Sequence, residues 1–289
     1  MEIIENKLLR VSINPKGAEL SGLFYKKEEL EYLWSGDPAF WGKQSPVLFP
    51  IVGTLKGNSY LYKSKSYQLP RHGFARDRVF EVEKRGGDSK TFLLKSDMDT
   101  RKVYPFDFEF RITYGLDENK LTVTYDIKNS GDDDLYFSVG GHPAFKLPLI
   151  EGTSYEDYYL EFEKPETAGR WPISTDGLIE ITPLPLLNES TKLPLNKQLF
   201  AKDAIVLKHL NSSFVKLKSN KTERELTFHF PGFPYLGIWA AKGADFICIE
   251  PWCGIADPVD TNQQLVRKEG IVLLKPAEEF KRSWAAVLG

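Results

Sequence analysis

Hydrophobic and polar residues alternate with a period of two along most of the chain, broken by polar clusters roughly every ten residues. Residues 8–13, 60–68, 79–84, 91–96, 106–116 and 120–129 carry this pattern and read as strands. Asp117-Glu-Asn-Lys120 joins the last two as a tight hairpin, and residues 130–134 form the next turn cluster. No stretch shows the spacing of a long amphipathic helix; residues 30–34 and 38–42 are expected to hold short helical turns. Many strands and few short helices predict an all-β chain, a large antiparallel β-sandwich or barrel. Residues 163–202 break the rhythm with Pro165, Pro172, Pro183, Pro185 and Pro194, which argues against central strands. That segment is expected to run over the surface and cover a cleft. Trp171, Ile173, Leu184, Leu186 and Leu187 within it call for burial, unlike the residues of a linker. Residues 1–289 therefore read as a single domain.

Composition sharpens this picture in two ways. A chain of 289 residues, 42% hydrophobic and 13% aromatic, can bury a large core. A formal net charge of −2 excludes a general binder of nucleic acid or of anionic membranes, which needs a basic surplus. No segment has the apolar length of a membrane span, and the first residues lack a signal-peptide pattern, so a cytoplasmic location is expected. Cys248 and Cys253 are the two cysteines; they build no disulfide framework, and their spacing lacks the partners of a structural zinc site. They are expected to be small buried fillers.

Candidate chemistry collects at four strand ends or turns. Residues 135–148 open as an aromatic and β-branched strand, stop at Gly140-Gly141, and present His142 before Pro143. Residues 44–56 form an apolar strand between prolines that leaves through Gly53-Thr54-Leu55-Lys56. Residues 69–77 hold His72 between two prolyl and glycyl breaks, with Arg71 and Arg76 close by. Residues 245–257 place Phe246, Cys248 and Glu250 on one strand face, with Ile247 and Ile249 on the other. A carboxylate closing such an apolar run has a raised pKa, which suits a general base. His229 and His209 sit on mixed strands without such company, and Asp132-Asp-Asp134 reads as a solvated turn.

Taken in order, these motifs make the chain resemble the aldose 1-epimerase (galactose mutarotase-like) family, in particular its bacterial LacX-like branch. The resemblance runs from Asn14-Pro-Lys-Gly-Ala-Glu-Leu-Ser21 through Leu48-Phe-Pro-Ile-Val-Gly53 and Arg71-His-Gly-Phe-Ala-Arg76. It continues with Gly140-Gly-His-Pro143 and Phe200-Ala-Lys-Asp203 and closes on Ile249-Glu-Pro-Trp252. It implies a β-supersandwich with a sugar cleft and an activity that interconverts α and β anomers by opening and reclosing the ring. It matches Glu250 to the base that deprotonates the C1 hydroxyl and His142 to the acid that protonates the ring oxygen. His72 matches a second imidazole near that oxygen, and Asp203 a carboxylate that binds sugar hydroxyls. No metal or organic cofactor is implied. The partner expected is a small sugar or sugar phosphate, and the chain is expected to be a monomer or homodimer.

Physical reasoning supports the pairing independently. Ring opening needs one base and one acid on the C1–O5 unit, which a carboxylate with a raised pKa and a histidine near its ordinary value of about 6.5 would supply. Phe74, Phe145, Trp239 and Trp252 are expected to offer flat faces to sugar C–H groups. Thr54 departs from the arginine that relatives carry after the Phe-Pro-Ile-Val-Gly strand, and Lys43, Lys56, Arg71 or Arg76 are the candidates to compensate. Arg76 is also placed to hold phosphate or to pair with Asp77. A sugar-binding or sensing protein without turnover is the rival reading, and Thr54 is the residue that favours it.

Overall fold

Two antiparallel sheets packed face to face carry most of the chain in a computed structural model that describes residues 1–289. The larger has nine strands, from Leu184–Pro194 at one edge through Tyr158–Arg170, Phe214–Ser219, Leu226–His229, Glu279–Leu288, Lys120–Asn129, Phe108–Asp117 and Ser89–Lys95 to Glu81–Arg85. The smaller runs Ile205–Lys208, Tyr235–Trp239, Phe246–Cys253, Val139–Gly141, Val47–Leu48, with Ala144–Lys146 also paired to Phe246–Cys253. Between them lies one apolar cluster of 70 buried residues, into which the inward faces of both sheets point. Phe49 stacks at 4.6 Å from Phe110 across the interface, and Phe145 meets Phe228 edge-on at 5.7 Å. Period-two burial in Phe108–Asp117 and Lys120–Asn129 matches the sequence pattern residue by residue.

Several expectations are corrected. Residues 60–68 form a hairpin, Ser59–Tyr62 and Lys65–Gln68, because Lys63 and Ser64 take positive φ values of 46° and 61° and turn the chain. The expected helical turn at 30–34 is replaced by the strand Leu30–Glu31, while residues 38–40 make a plain turn. One α-helix, Met98–Val103, was not anticipated; Asp97 and Thr100 close a reciprocal capping box at its start. The proline-rich segment is strand at both ends, Tyr158–Arg170 and Leu184–Pro194. Its prolines are tolerated for local reasons. Pro165 falls in a register shift between Glu161 and Glu166, and Pro185 and Pro194 lie on the edge strand. The buried Glu166 carboxylate stabilises that shift by accepting hydrogen bonds from Ser212 N (2.7 Å), Ser212 Oγ (2.6 Å) and Asn211 N (3.1 Å). Between these strands, residues 171–182 cross the outer face of the smaller sheet, as the expected cover of a cleft.

Gly140 and Gly141 end their strand, as the sequence suggested, at ordinary φ. Their role is close approach: a Cβ on Gly140 would lie 2.7 Å from the Trp252 ring, and one on Gly141 would lie 2.7 Å from the Tyr125 hydroxyl. Gly237, paired with Glu250, has the same duty on the other side, where a Cβ would meet the Trp252 indole at 2.4 Å. Gly237→Ala is expected to destabilise the protein by about 1–3 kcal/mol in urea unfolding through this overpacking. Gly87→Ala, where nothing lies within 4 Å, is the matched control and is expected to change stability little.

Candidate functional site

The outer face of the smaller sheet carries the polar groups that the sequence singled out. Residues 248, 250 and 252 share one face of Phe246–Cys253, so Glu250 and Trp252 line the outer cavity while Cys248 is buried beside Glu250 at the margin of the core. The neighbouring strand pairs Gly140 with Trp252, and Ala144 with Cys248. That register sets His142 directly across from Glu250, in the short gap where the ladder is interrupted. Pro143 explains the gap, since it supplies a carbonyl to Ile249 N at 3.2 Å but has no N–H to return. Opposite residues of an antiparallel pair hold their side chains close together. His142 Nε2 accordingly lies 3.3 Å from Glu250 Oε2.

His72 reaches the same place from a loop. Its φ is +68°, followed by Gly73 at +70°, a pair of left-handed residues that folds the loop back on Phe49. A Cβ at Gly73 would sit 2.3 Å from the Phe49 carbonyl, so only glycine fits there. His72 N donates to Gly53 O (2.8 Å), and Gly53 N donates to His72 Nδ1 (3.1 Å). Nδ1 thereby accepts from a fixed backbone N–H. Arg71 Nε donates to His72 Nε2 at 3.3 Å, so both ring nitrogens face hydrogen-bond donors. Asp203 also has a left-handed backbone, with φ +84°; its Oδ1 accepts from Ala204 N at 2.7 Å and lies 3.7 Å from Arg71 Nη2. The turn-capping and cavity-lining roles of Asp203 coexist.

These groups line one cavity of about 320 Å³, with Trp41, Arg71, His72, Arg76, His142, Asp203, Trp239, Glu250 and Trp252 in its wall. Ile173, Gly177 and Ile179 of the proline-rich segment close it from above, within a small apolar cluster that includes Trp252, Ile255 and Ala256. The volume suits one small polar molecule, and the lining is a mixture of aromatic faces and convergent polar groups.

Other expected residues fall elsewhere. Lys43 faces Glu19 and Asp77 at 4.0 and 3.9 Å, and Lys56 donates to Val259 O at 2.8 Å, so neither reaches the cavity. Phe74 and Phe145 are core residues, packed on Phe49 and Phe228. Arg71 and Arg76 do line the cavity; Arg76 Nη2 donates to Arg71 O at 2.8 Å, and its Nε is 3.8 Å from Asp77. Thr54, where an arginine was expected, packs under Gly177: a Cβ there would come within 2.6 Å of Thr54 Oγ1. A short residue at 54 therefore goes with this cover, and Arg71 and Arg76 are the cations in the cavity wall. The sequence reading missed Trp41, whose turn shows no periodicity. Its indole stacks on the His142 ring at 4.9 Å and 30°, and Trp239 closes on the same ring edge-on at 5.6 Å.

Burial dominates the electrostatics. It holds the Glu250 carboxyl well above its ordinary pKa, against the partial opposition of Arg71. It pushes the His142 imidazole down to about 3, with the charges of Arg71 and Arg76 adding to the effect, in place of the ordinary value expected from sequence. His72 is lowered for the same reason, with His142 beside it. His142 Nδ1, Glu250 Oε2 and Trp252 Nε1 are buried without a hydrogen-bond partner from the protein.

Known proteins share this fold. The aldose 1-epimerase family model matches residues 1–271, and the chain belongs to the aldose 1-epimerase family. The chromosomal LacX protein of Lactococcus lactis subsp. lactis is 32% identical over 290 residues, covering 97% of each chain. A galactose mutarotase related enzyme from Lactobacillus acidophilus superposes with a TM-score of 0.94 at 37% identity, covering 100% of this chain and 97% of its own. A galactose mutarotase-like protein from Lactobacillus casei gives 0.94 at 30% identity, with 100% of both chains covered. The architecture is the galactose mutarotase-like fold.

A buried acid with a raised pKa stabilises the folded state fully only below its unfolded pKa, and that contribution is lost as pH rises. Glu250→Gln removes the group. Its stability relative to wild type is expected to grow between about pH 5 and about pH 8, by up to ~1.4 kcal/mol per unit. Thermal unfolding of both proteins at the two pH values measures this; a difference that does not change with pH contradicts it.

Proposed function

We propose that the chain is a mutarotase, an isomerase that interconverts the α and β anomers of an aldose or its phosphate. The observation that carries this reading is the His142–Glu250 pair, 3.3 Å apart and unpartnered in a cavity of sugar size. Opening a pyranose ring requires a proton to leave the C1 hydroxyl and another to reach O5 as the C1–O5 bond breaks. Rotation about C1–C2 then exposes the other face of the aldehyde, and the same transfers run backward on reclosure. Two groups that hold one proton between them can perform both halves and end as they began.

In this reading Glu250 is the base and His142 the acid. Burial keeps the shared proton on Glu250 while the cavity is empty. A bound sugar changes the balance: its C1 hydroxyl donates to Glu250 Oε2 and favours the carboxylate, while O5 accepts from His142 and favours the imidazolium. The π face of Trp41 lies against that imidazolium and stabilises it. His72 is a second imidazole beside His142, near O5. Asp203 and Arg71 bind ring hydroxyls, Arg76 binds an outlying hydroxyl or phosphate oxygen, and Trp239 and Trp252 pack on C–H faces. Residues 1–289 act as one domain in this account, supported by the single large core from Ile4 to Leu288. No helix is long and apolar enough to cross a membrane, in keeping with the cytoplasmic site of action proposed.

Anomer exchange followed by NMR on freshly dissolved α-glucose, α-galactose and their 6-phosphates tests the proposal. Wild type is expected to accelerate exchange for at least one of them, and Glu250→Gln to lose roughly 100- to 10,000-fold of that acceleration. Binding without acceleration would make the chain a sugar sensor and overturn the reading.

A further inference from the structure

Cys248 takes no part in the proton transfers, yet it stands two residues before Glu250 on the same strand face and is fully buried. Its Sγ, a donor nitrogen of His142 and a carboxylate oxygen of Glu250 all lie within 4.8 Å of one another. We propose that these three side chains form an inhibitory site for a thiophilic divalent cation of the zinc and cadmium type. The inference rests on the mutarotase reading only for the word inhibitory; the site itself follows from the donor atoms.

The geometry fits the ion. Zinc bonds of ~2.0–2.2 Å to nitrogen and oxygen at a tetrahedral angle separate those ligands by roughly 3.4 Å. His142 Nε2 and Glu250 Oε2 are already 3.3 Å apart. Glu250 Oε2 has no hydrogen-bond partner, and the residue is 1% exposed, so a lone pair on a nine-tenths buried group is free to coordinate. Cys248 Sγ is within 4.8 Å of the His142 and Glu250 ligand atoms, and a zinc–sulfur bond is the longest of the three, ~2.3 Å. Three protein ligands leave the fourth position open toward the cavity for a water.

Charge balance decides which ions enter. The cation replaces the thiol proton of Cys248 and the carboxyl proton of Glu250, both of which leave to solvent, so the buried site stays neutral overall. Arg71 and Arg76 line the same cavity and repel any ion that brings charge without strong bonding. Calcium and magnesium prefer all-oxygen shells and gain little here, whereas soft ions gain the thiolate bond. Once bound, the ion occupies the carboxylate and the imidazole that the proton transfers need.

The test uses the full chain, stripped of metal and titrated with Co²⁺ as a spectroscopic stand-in for Zn²⁺. One equivalent is expected to produce a thiolate-to-cobalt charge-transfer band. Cys248→Ser, or Cys248→Ala if the serine does not fold, is expected to abolish the band and weaken binding at least roughly 100-fold, more than loss of an outer-shell partner costs. Cys253→Ser is expected to leave both unchanged. Equimolar Zn²⁺ is expected to stop anomer exchange in wild type, reversibly by chelator, while Cys248→Ser keeps wild-type turnover and resists the ion. Absence of the band, its persistence in Cys248→Ser, or its loss in Cys253→Ser overturns the proposal. A band in a protein without turnover upholds the ion site and refutes the mutarotase reading instead.

Discussion

A carboxyl and an imidazole pressed together out of water, His142 against Glu250, set the terms for the rest of the site. Neither can be charged alone there without a large desolvation cost, so burial raises the Glu250 carboxyl and lowers the His142 imidazole. The sheet register creates that closeness, because the strands on either side of the gap at residues 141–143 are paired in the same frame. Burial sustains it, through Trp41 and Trp239 around the imidazole and through Ile173 and Ile179 overhead. Removing water from the pair is what separates this arrangement from an ordinary surface ion pair, which is worth little.

The price of such a pair is visible in the backbone around it. His72 and Asp203 both occupy left-handed conformations that most residues avoid, and each is followed or stabilised by a contact that compensates. Gly53, with φ +73°, could not carry a side chain, since a Cβ would overlap Ala256 at 2.5 Å. The buried ion pair Lys268–Asp257, 2.8 Å long, anchors the segment that holds Ala256, and Asp257 also accepts from Lys56 N at 3.1 Å. Strained and tightly packed elements thus surround the cavity on the side where the loops meet, while the regular ladders lie behind it.

Much of this was legible in the sequence. Period-two alternation gave the long strands at 106–116 and 120–129 to within two residues, because one face of each is buried and the other is not. Glu250 and His142 stood out because a carboxylate in an apolar run and a histidine between glycine and proline are locally unusual. The depressed pKa of His142 was not legible, since it depends on Trp41 and on the arginines, which are distant in sequence. Lys43 and Lys56 were named as cations near the right motifs, but side-chain direction decides which reach the cavity, and both point away. The proline-rich segment misled for a similar reason: an edge position and a register shift tolerate prolines, and neither is visible before the strands are paired.

The most direct test of the central claim is the ionisation state of Glu250 in the empty protein. Side-chain carboxyl ¹³C NMR on chain labelled at glutamate, assigned with Glu250→Gln, reads it at neutral pH. The account predicts a neutral carboxyl at Glu250 beside a neutral His142. An ionised carboxylate facing an imidazolium in the empty cavity would contradict it.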